Sequence, residues 1–262
     1  MKDCRLQSYF NRGDLFKTLC EHNLTFSKEM NFLELGTGWF HWYAIYIRLF
    51  HEVNTTLFDV WDNRQFDALH KYSQKLKSHF ESLPGDYSGA IKNLQKVINA
   101  DSFEEIYQTF NMNYVIESEG SLAQFPAENY DCIFSFHVME HVKSYEATVA
   151  EIYRLLKPGG FSIHQIGIDD HHTHYDKQES PKNYFRYSEL SWKLLFENDL
   201  QYINRVQMSD WFRIFEERGF VFVDKRVEFQ DIGPIKVQPR YQHYSKEDQE
   251  CTILTIVHQK PK

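Results

Sequence analysis

The sequence is short of the features that mark several large protein classes. Its four cysteines, Cys4, Cys20, Cys132 and Cys251, show no CxxC spacing. Neither a zinc knuckle nor a disulfide framework is expected, and a reducing cytosol suits them. Lys and Arg number 29 against 37 Asp and Glu, a net charge of −8, and no dense basic run occurs. A polynucleotide ligand, whose phosphates call for concentrated positive charge, is therefore disfavoured. The most apolar stretch, 39–50, is interrupted by His41 and Arg48 and is too short to cross a bilayer. Residues 1–13 carry charges throughout and lack the apolar centre of a signal peptide. No internal repeat or low-complexity tract is visible. The expectation is a soluble, cytoplasmic protein without a membrane or nucleic-acid partner.

Apolar side chains are plentiful. A 42% hydrophobic share over 262 residues supports one substantial core. Aromatics reach 16%, with 22 Phe and 16 Tyr, enough to fill a core and also to line a pocket for a flat or sugar-like ligand.

Strand and helix signals alternate, which favours an α/β sheet. Strands are expected at 31–35, 55–60, 114–116, 131–136 and 161–166, with two late ones at 220–229 and 251–258. Helices are expected at 39–51, apolar nearly all round, and at 63–80. In the clearest helix Tyr145, Val149, Ile152, Tyr153 and Leu156 recur at helical spacing, and Pro158-Gly159-Gly160 should stop it. Another spans 209–218, with Ser209 as its N-cap. The reading is a single domain, 1–262, with an extra helical stretch at about 83–113 and a lid or acceptor-site insertion at about 167–210.

Three motifs carry the chemistry. In Glu34-Leu35-Gly36-Thr37-Gly38, glycines at a strand-to-helix turn let backbone approach a ligand, and the next helix offers free N–H groups. Asp59 ends the following strand, where a carboxylate can accept hydrogen bonds from both hydroxyls of a ribose; a turn or cap role fits it as well. Then come Glu119-Gly120-Ser121-Leu122, Tyr130-Asp131-Cys132-Ile133-Phe134-Ser135, Val138-Met139-Glu140-His141-Val142 and Leu155-Leu156-Lys157-Pro158-Gly159-Gly160.

In order and spacing these segments resemble the class I S-adenosylmethionine-dependent methyltransferases over 32–166, about half the chain. The resemblance implies a Rossmann-like, seven-stranded, mostly parallel sheet with its last strand antiparallel and helices on both faces. It implies S-adenosylmethionine as cofactor. Glu34 would belong to the cofactor site, where Gly36, Thr37 and Gly38 would hold the methionine part, Asp59 the ribose, and Gly120, Ser121 and Leu122 the adenine edge. Phe136 and His137 would lie beside the sulfonium, although a packed or capping histidine fits His137 slightly better. Two positions depart from the family pattern: Phe40 replaces its third glycine, and Ser121 the Asp that commonly reads the adenine amino group. A dinucleotide fingerprint would need glycine where His41 stands.

The segment Asp170-His171-His172-Thr173-His174-Tyr175-Asp176 follows the fifth strand, where this fold builds its acceptor site. With Ser180-Pro181-Lys182-Asn183 and Asn204-Arg205 it resembles a bacterial subgroup associated with polysaccharide and glycan gene clusters. A neutral imidazole of His171 or His174, supported by Asp170, could take the proton of an attacking hydroxyl. Asp170, His171, His174 and Asp176 could instead bind a divalent metal, or the histidines could simply bond to backbone. The base reading is preferred, and no resident metal is expected. Tyr175, Asp176, Asn183, Arg186, Tyr187, Asn204 and Arg205 are candidates for acceptor binding, the arginines as clamps on a phosphate or carboxylate or as ordinary surface ion pairs. The function expected is O-methylation of a small polar acceptor such as a sugar, sugar nucleotide or phosphorylated metabolite. N- or C-methylation, and a non-catalytic binding protein, are the alternatives.

Overall fold

The computed structural model describes residues 3–176, 178–196 and 202–262, without the side chains of residues 3–6 and 174. Seven strands form one sheet in the order β3-β2-β1-β4-β5-β7-β6. By their internal contacts the residues divide into two units, 1–124 with 129–133, and 125–128 with 134–262.

The first unit holds α1 (Asp3–Asn23), β1 (Asn31–Leu35), α2 (Trp42–Phe50), β2 (Asn54–Asp59), α3 (Phe66–Ser82), α4 (Ser88–Asn99), α5 (Phe103–Phe110) and β3 (Met112–Ile116). The strands β1, β2 and β3 pair in parallel, Leu33 opposite Thr56 and Leu57 opposite Tyr114. From Trp42 to Leu49 every residue of α2 is buried, as its all-round apolar pattern requires. Even Arg48 is drawn in, because its Nε donates to the Phe110 carbonyl at 2.9 Å. The helix begins three residues later than the apolar run predicts. His41 has φ 50, in the left-handed region, so the chain turns once more before the helix can start. The extra stretch before β3 proves to be two helices, α4 and α5, the second capped where Ser102 accepts from the Glu105 N–H.

Strand β4 (Tyr130–Phe136) is followed in the second unit by α6 (Tyr145–Leu155), β5 (Leu156–Gly167), α7 (Glu189–Leu195), α8 (Met208–Glu217), β6 (Val221–Phe229), α9 (Lys246–Glu250) and β7 (Cys251–Gln259). The last strand runs antiparallel to both neighbours, β5 and β6. Two expectations are corrected. Pro158-Gly159-Gly160 does not stop the helix but belongs to β5, which starts at Leu156 and adds the Gly159 N–H to Lys260 carbonyl bond at 2.9 Å. Ser209 is not the N-cap of α8; Gln207 is, and the Ser209 N–H donates instead to the Asp248 carboxylate at 2.8 Å. From the 167–210 stretch Tyr184, Phe185, Trp192 and Ile203 join Tyr241 in an apolar cluster, which accounts for part of the aromatic surplus. Among the described residues no helix is long and apolar enough to cross a membrane.

Candidate active site

The turn after β1 is built by backbone angles that side chains resist. Gly36 and Gly38 have φ 67 and 65. A Cβ added at Gly38 would meet nothing within 4 Å, so conformation and not crowding requires glycine, and the space beside it is open. At the tip of β2, Asp59 points into this turn: its Oδ2 accepts from the Gly38 N–H at 3.0 Å and its Oδ1 from the Val60 N–H at 2.8 Å. Burial raises its carboxyl above the ordinary value, against the pull of the Gly38, Val60 and Trp61 amides. The carboxylate keeps accepting capacity for a ligand hydroxyl.

Glu34 has a different task. It is fully buried, and its Oε2 accepts from the Ala44 N–H at 3.2 Å, in the first turn of α2. The carboxyl, pushed well up by burial, therefore fixes the helix behind the glycine turn. Thr37 is buried too, and its hydroxyl oxygen has no partner among the described residues. In the loop after β3, Gly120 has φ 72, and an added Cβ would lie 3.7 Å from Val60, so this loop sits beside the tip of β2. Glu117, which sequence reasoning passed over, organises it by accepting from the N–H groups of Glu119 and Ser121. The Ser121 hydroxyl accepts from the Ala123 N–H at 3.3 Å and retains its own proton to donate. Leu122 is buried.

In the second unit Phe136 is buried and His137 half-buried, the latter with φ 56. His137 Nδ1 lies 3.2 Å from Glu140 Oε1, which also accepts the Gly167 N–H at 3.0 Å. Burial pushes the Glu140 carboxyl up, but the His137 bond and the nearby histidines outweigh it and hold the carboxyl below its usual range. The other oxygen, Oε2, is buried without a partner among the described residues. His141 directs Nδ1 at the Tyr202 carbonyl, 2.7 Å away, and its ring lies 5.0 Å from that of His171. One ligand-capable atom from each of Glu140, His141 and His171 falls within 4.8 Å of the others. The Glu140-His141 pair within residues 138–142 is the sequence signal for this cluster, and its third member lies thirty residues on.

Several candidate residues have their polar groups committed elsewhere. Asp170 is fully buried and caps the turn His171–His174, its Oδ1 accepting from the His172 N–H at 3.0 Å. It thus places the turn that carries His171. The side chain of His174 is outside the described residues. Asn204 Nδ2 donates to the carbonyls of Met139 and Val142, at 2.7 and 3.2 Å, and its N–H to that of Glu140 at 2.8 Å, clamping the segment that carries Glu140 and His141. Arg205 pairs with Glu189 at 2.9 Å, donates to the Tyr241 hydroxyl at 3.1 Å and lies over Trp192, so it braces the apolar cluster. Tyr187 packs on Phe196 with ring centres 4.5 Å apart, and Asn183 is buried. Arg186 is 42% exposed and reaches Glu179 only across 3.7 Å, Tyr175 is exposed, and Asp176 accepts from the Gln178 N–H. A cleft of about 610 Å³ lined by Tyr153, Arg154, Arg218 and Lys260 touches none of these residues.

Comparison with known proteins places this architecture. Residues 10–225 match the family model described as a methyltransferase domain. A polyketide synthase-nonribosomal peptide synthetase of Aspergillus clavatus is 24% identical over 148 residues, 56% of this chain but 3% of that much longer protein. Phosphoethanolamine N-methyltransferase 2 of Haemonchus contortus, solved with S-adenosyl-L-methionine, is 15% identical over 96% of this chain and 53% of its own, with a TM-score of 0.54. The [4+2]-cyclase SpnF is 13% identical over 95% and 80% of the two chains, again at 0.54. At such identities the solved structures speak for the fold, and the family match for kinship. The chain belongs to the methyltransferase domain family and has the class I S-adenosylmethionine-dependent methyltransferase fold.

Proposed function

We propose that this protein transfers the methyl group of S-adenosylmethionine to a hydroxyl oxygen of a small polar acceptor, such as a sugar, sugar nucleotide or phosphorylated metabolite. The observation that carries the reading is the Asp59 carboxylate bonded to the Gly38 amide, which puts a ribose acceptor group at an open glycine turn. Gly36, Thr37 and Gly38 then serve the methionine part, and Gly120, Ser121 and Leu122 the adenine. By position in the family motif, Phe136 and His137 belong to the sulfonium.

The transferred methyl is already electrophilic on a cationic sulfur, so the protein mainly aligns the acceptor and excludes water. The C–S bond breaks as the O–C bond forms, S-adenosylhomocysteine leaves, and the hydroxyl proton must be taken up. An imidazole suits that last demand near pH 7. His171, half-buried beside His141 and Glu140, is the residue we assign to the activation of the acceptor. Arg186 is the cation for an acidic group on it. The likeness of 170–183 and 204–205 to the glycan-cluster subgroup supports a sugar-like acceptor.

Calorimetry and a labelled-methyl assay test this together. Wild type should bind S-adenosylmethionine and D59A should not, while H171A should keep binding and lose turnover. Methylation of amines with no conversion of any sugar-derived hydroxyl acceptor would overturn the O-methyl reading; unchanged binding by D59A would overturn the cofactor map.

A further inference from the structure

We propose that Glu140, His141 and His171 form a site for a divalent first-row transition cation, to which the acceptor oxygen adds as a further ligand. The second clause rests on the methyl-transfer reading above; the first stands on geometry alone.

Two imidazoles and one carboxylate are a donor set suited to zinc, cobalt, manganese or iron, whereas magnesium prefers oxygen throughout. The three candidate atoms lie within 4.8 Å of one another. Cis ligands on an ion with bonds of about 2.1 Å stand about 3 Å apart, so binding requires a contraction of an ångström or two. His171 can supply it, because it sits at the start of a short turn and is half-buried.

The other two ligands are prepared in ways a plain polar cluster would not need. Glu140 is 2% exposed, and its Oε1 is held by the Gly167 N–H and His137, whereas Oε2 is buried without a partner among the described residues. A buried carboxylate oxygen left unpaired is costly, and a cation satisfies it. The Tyr202 carbonyl can only accept, so His141 Nδ1 carries the proton and Nε2 the lone pair in the neutral ring. A backbone carbonyl bound to the non-ligating nitrogen is the usual support of a metal-binding histidine. Asn204 then fixes the Met139–Val142 backbone on which both ligands ride. A bound cation lowers the pKa of a coordinated hydroxyl, so in this arrangement His171 activates the acceptor as a metal ligand, and the acceptor proton passes to solvent rather than to its ring.

The test uses the full chain, stripped with a chelator and titrated with Co²⁺ while the visible d–d absorption and heat are recorded. One Co²⁺ per chain is expected, weakened about tenfold or more by H171A and by H141A, and unchanged by H243A at an exposed histidine elsewhere. Because Glu140 is buried and E140Q could impair folding, H171A is the deciding variant and is checked by circular dichroism. Absence of stoichiometric binding, or binding that survives H171A in a folded chain, overturns the site. S-adenosylmethionine is titrated in parallel. If it binds while Co²⁺ does not, the cation site falls and the methyltransferase reading stands. If Co²⁺ binds while it does not, the reverse holds.

Discussion

At the scale of single residues, Gly167 shows how closely the Glu140 site is packed. A Cβ placed there would stand 2.8 Å from Glu140 Oε1 and 3.2 Å from His137 Nδ1. Glu140 could retreat only by giving up its bonds to Gly167 and His137. We expect G167A to cost about 1–3 kcal/mol, the usual range for overpacking, seen as a lower urea midpoint with an unchanged slope. A variant as stable as wild type would mean that Glu140 is not pinned. The same scale separates residues that were legible from those that were not. Gly36, Gly38 and Asp59 could be picked out because their task depends on the local chain, a turn and a strand end. Asp170 and Arg205 are candidates by their place after the fifth strand, and in the structure one caps a turn and the other braces an aromatic cluster. For Arg205 only partners distant in sequence, Glu189 and Tyr241, reveal this, whereas the bond from the His172 N–H to Asp170 is local.

Among the elements, α8 illustrates a cap supplied from outside. Its own flanking residue Gln207 makes no side-chain capping bond, and Asp248, 39 residues on, accepts from the Ser209 N–H while also bonding the Ser245 hydroxyl at 2.9 Å. D248A should cost about 1 kcal/mol, the typical worth of an N-terminal carboxylate acceptor, and be measurable by urea unfolding. No change would place the stability of α8 in its apolar face alone. Element type was readable from periodicity for the seven strands and for α2 to α6 and α8, but not for α1, α7 or α9, and β1 matched to the residue because an apolar run ended abruptly at glycine. Boundaries were missed where a tertiary bond overrode a local signal. Pro158-Gly159-Gly160 looks like a helix stop, but pairing with Lys260 makes it the opening of β5.

For the whole molecule, buried histidines set the response to acid. Burial lowers His41 to about 3, burial with the charge of His258 lowers His164 to about 3, and burial lowers His258 to about 4. Each folded value lies below the unfolded one of about 6.5, so the unfolded chain binds the extra protons. Their stabilising effect is complete above pH 6.5 and is lost as pH falls from there towards 3–4. Burial raises Glu34 and Asp59 and works in the opposite sense, so the clean measurement is a comparison. Below pH 6.5 the stability of H164Q should decline less steeply than that of wild type, by up to about 1.4 kcal/mol per pH unit. Parallel curves would show that His164 is not buried as a neutral ring.

The sequence by itself determined the class of sheet, the order of its elements and the glycine turn with its carboxylate. All of these rest on apolar periodicity and on backbone angles that few residues tolerate. Only the tertiary structure decided which polar side chains are committed to caps and clamps and which converge. His171 stands thirty residues beyond His141 in the chain, and nothing local to either forecasts their meeting. That meeting depends on how β5 and the turns around it fold back, a matter of packing between distant segments that no short stretch of sequence encodes.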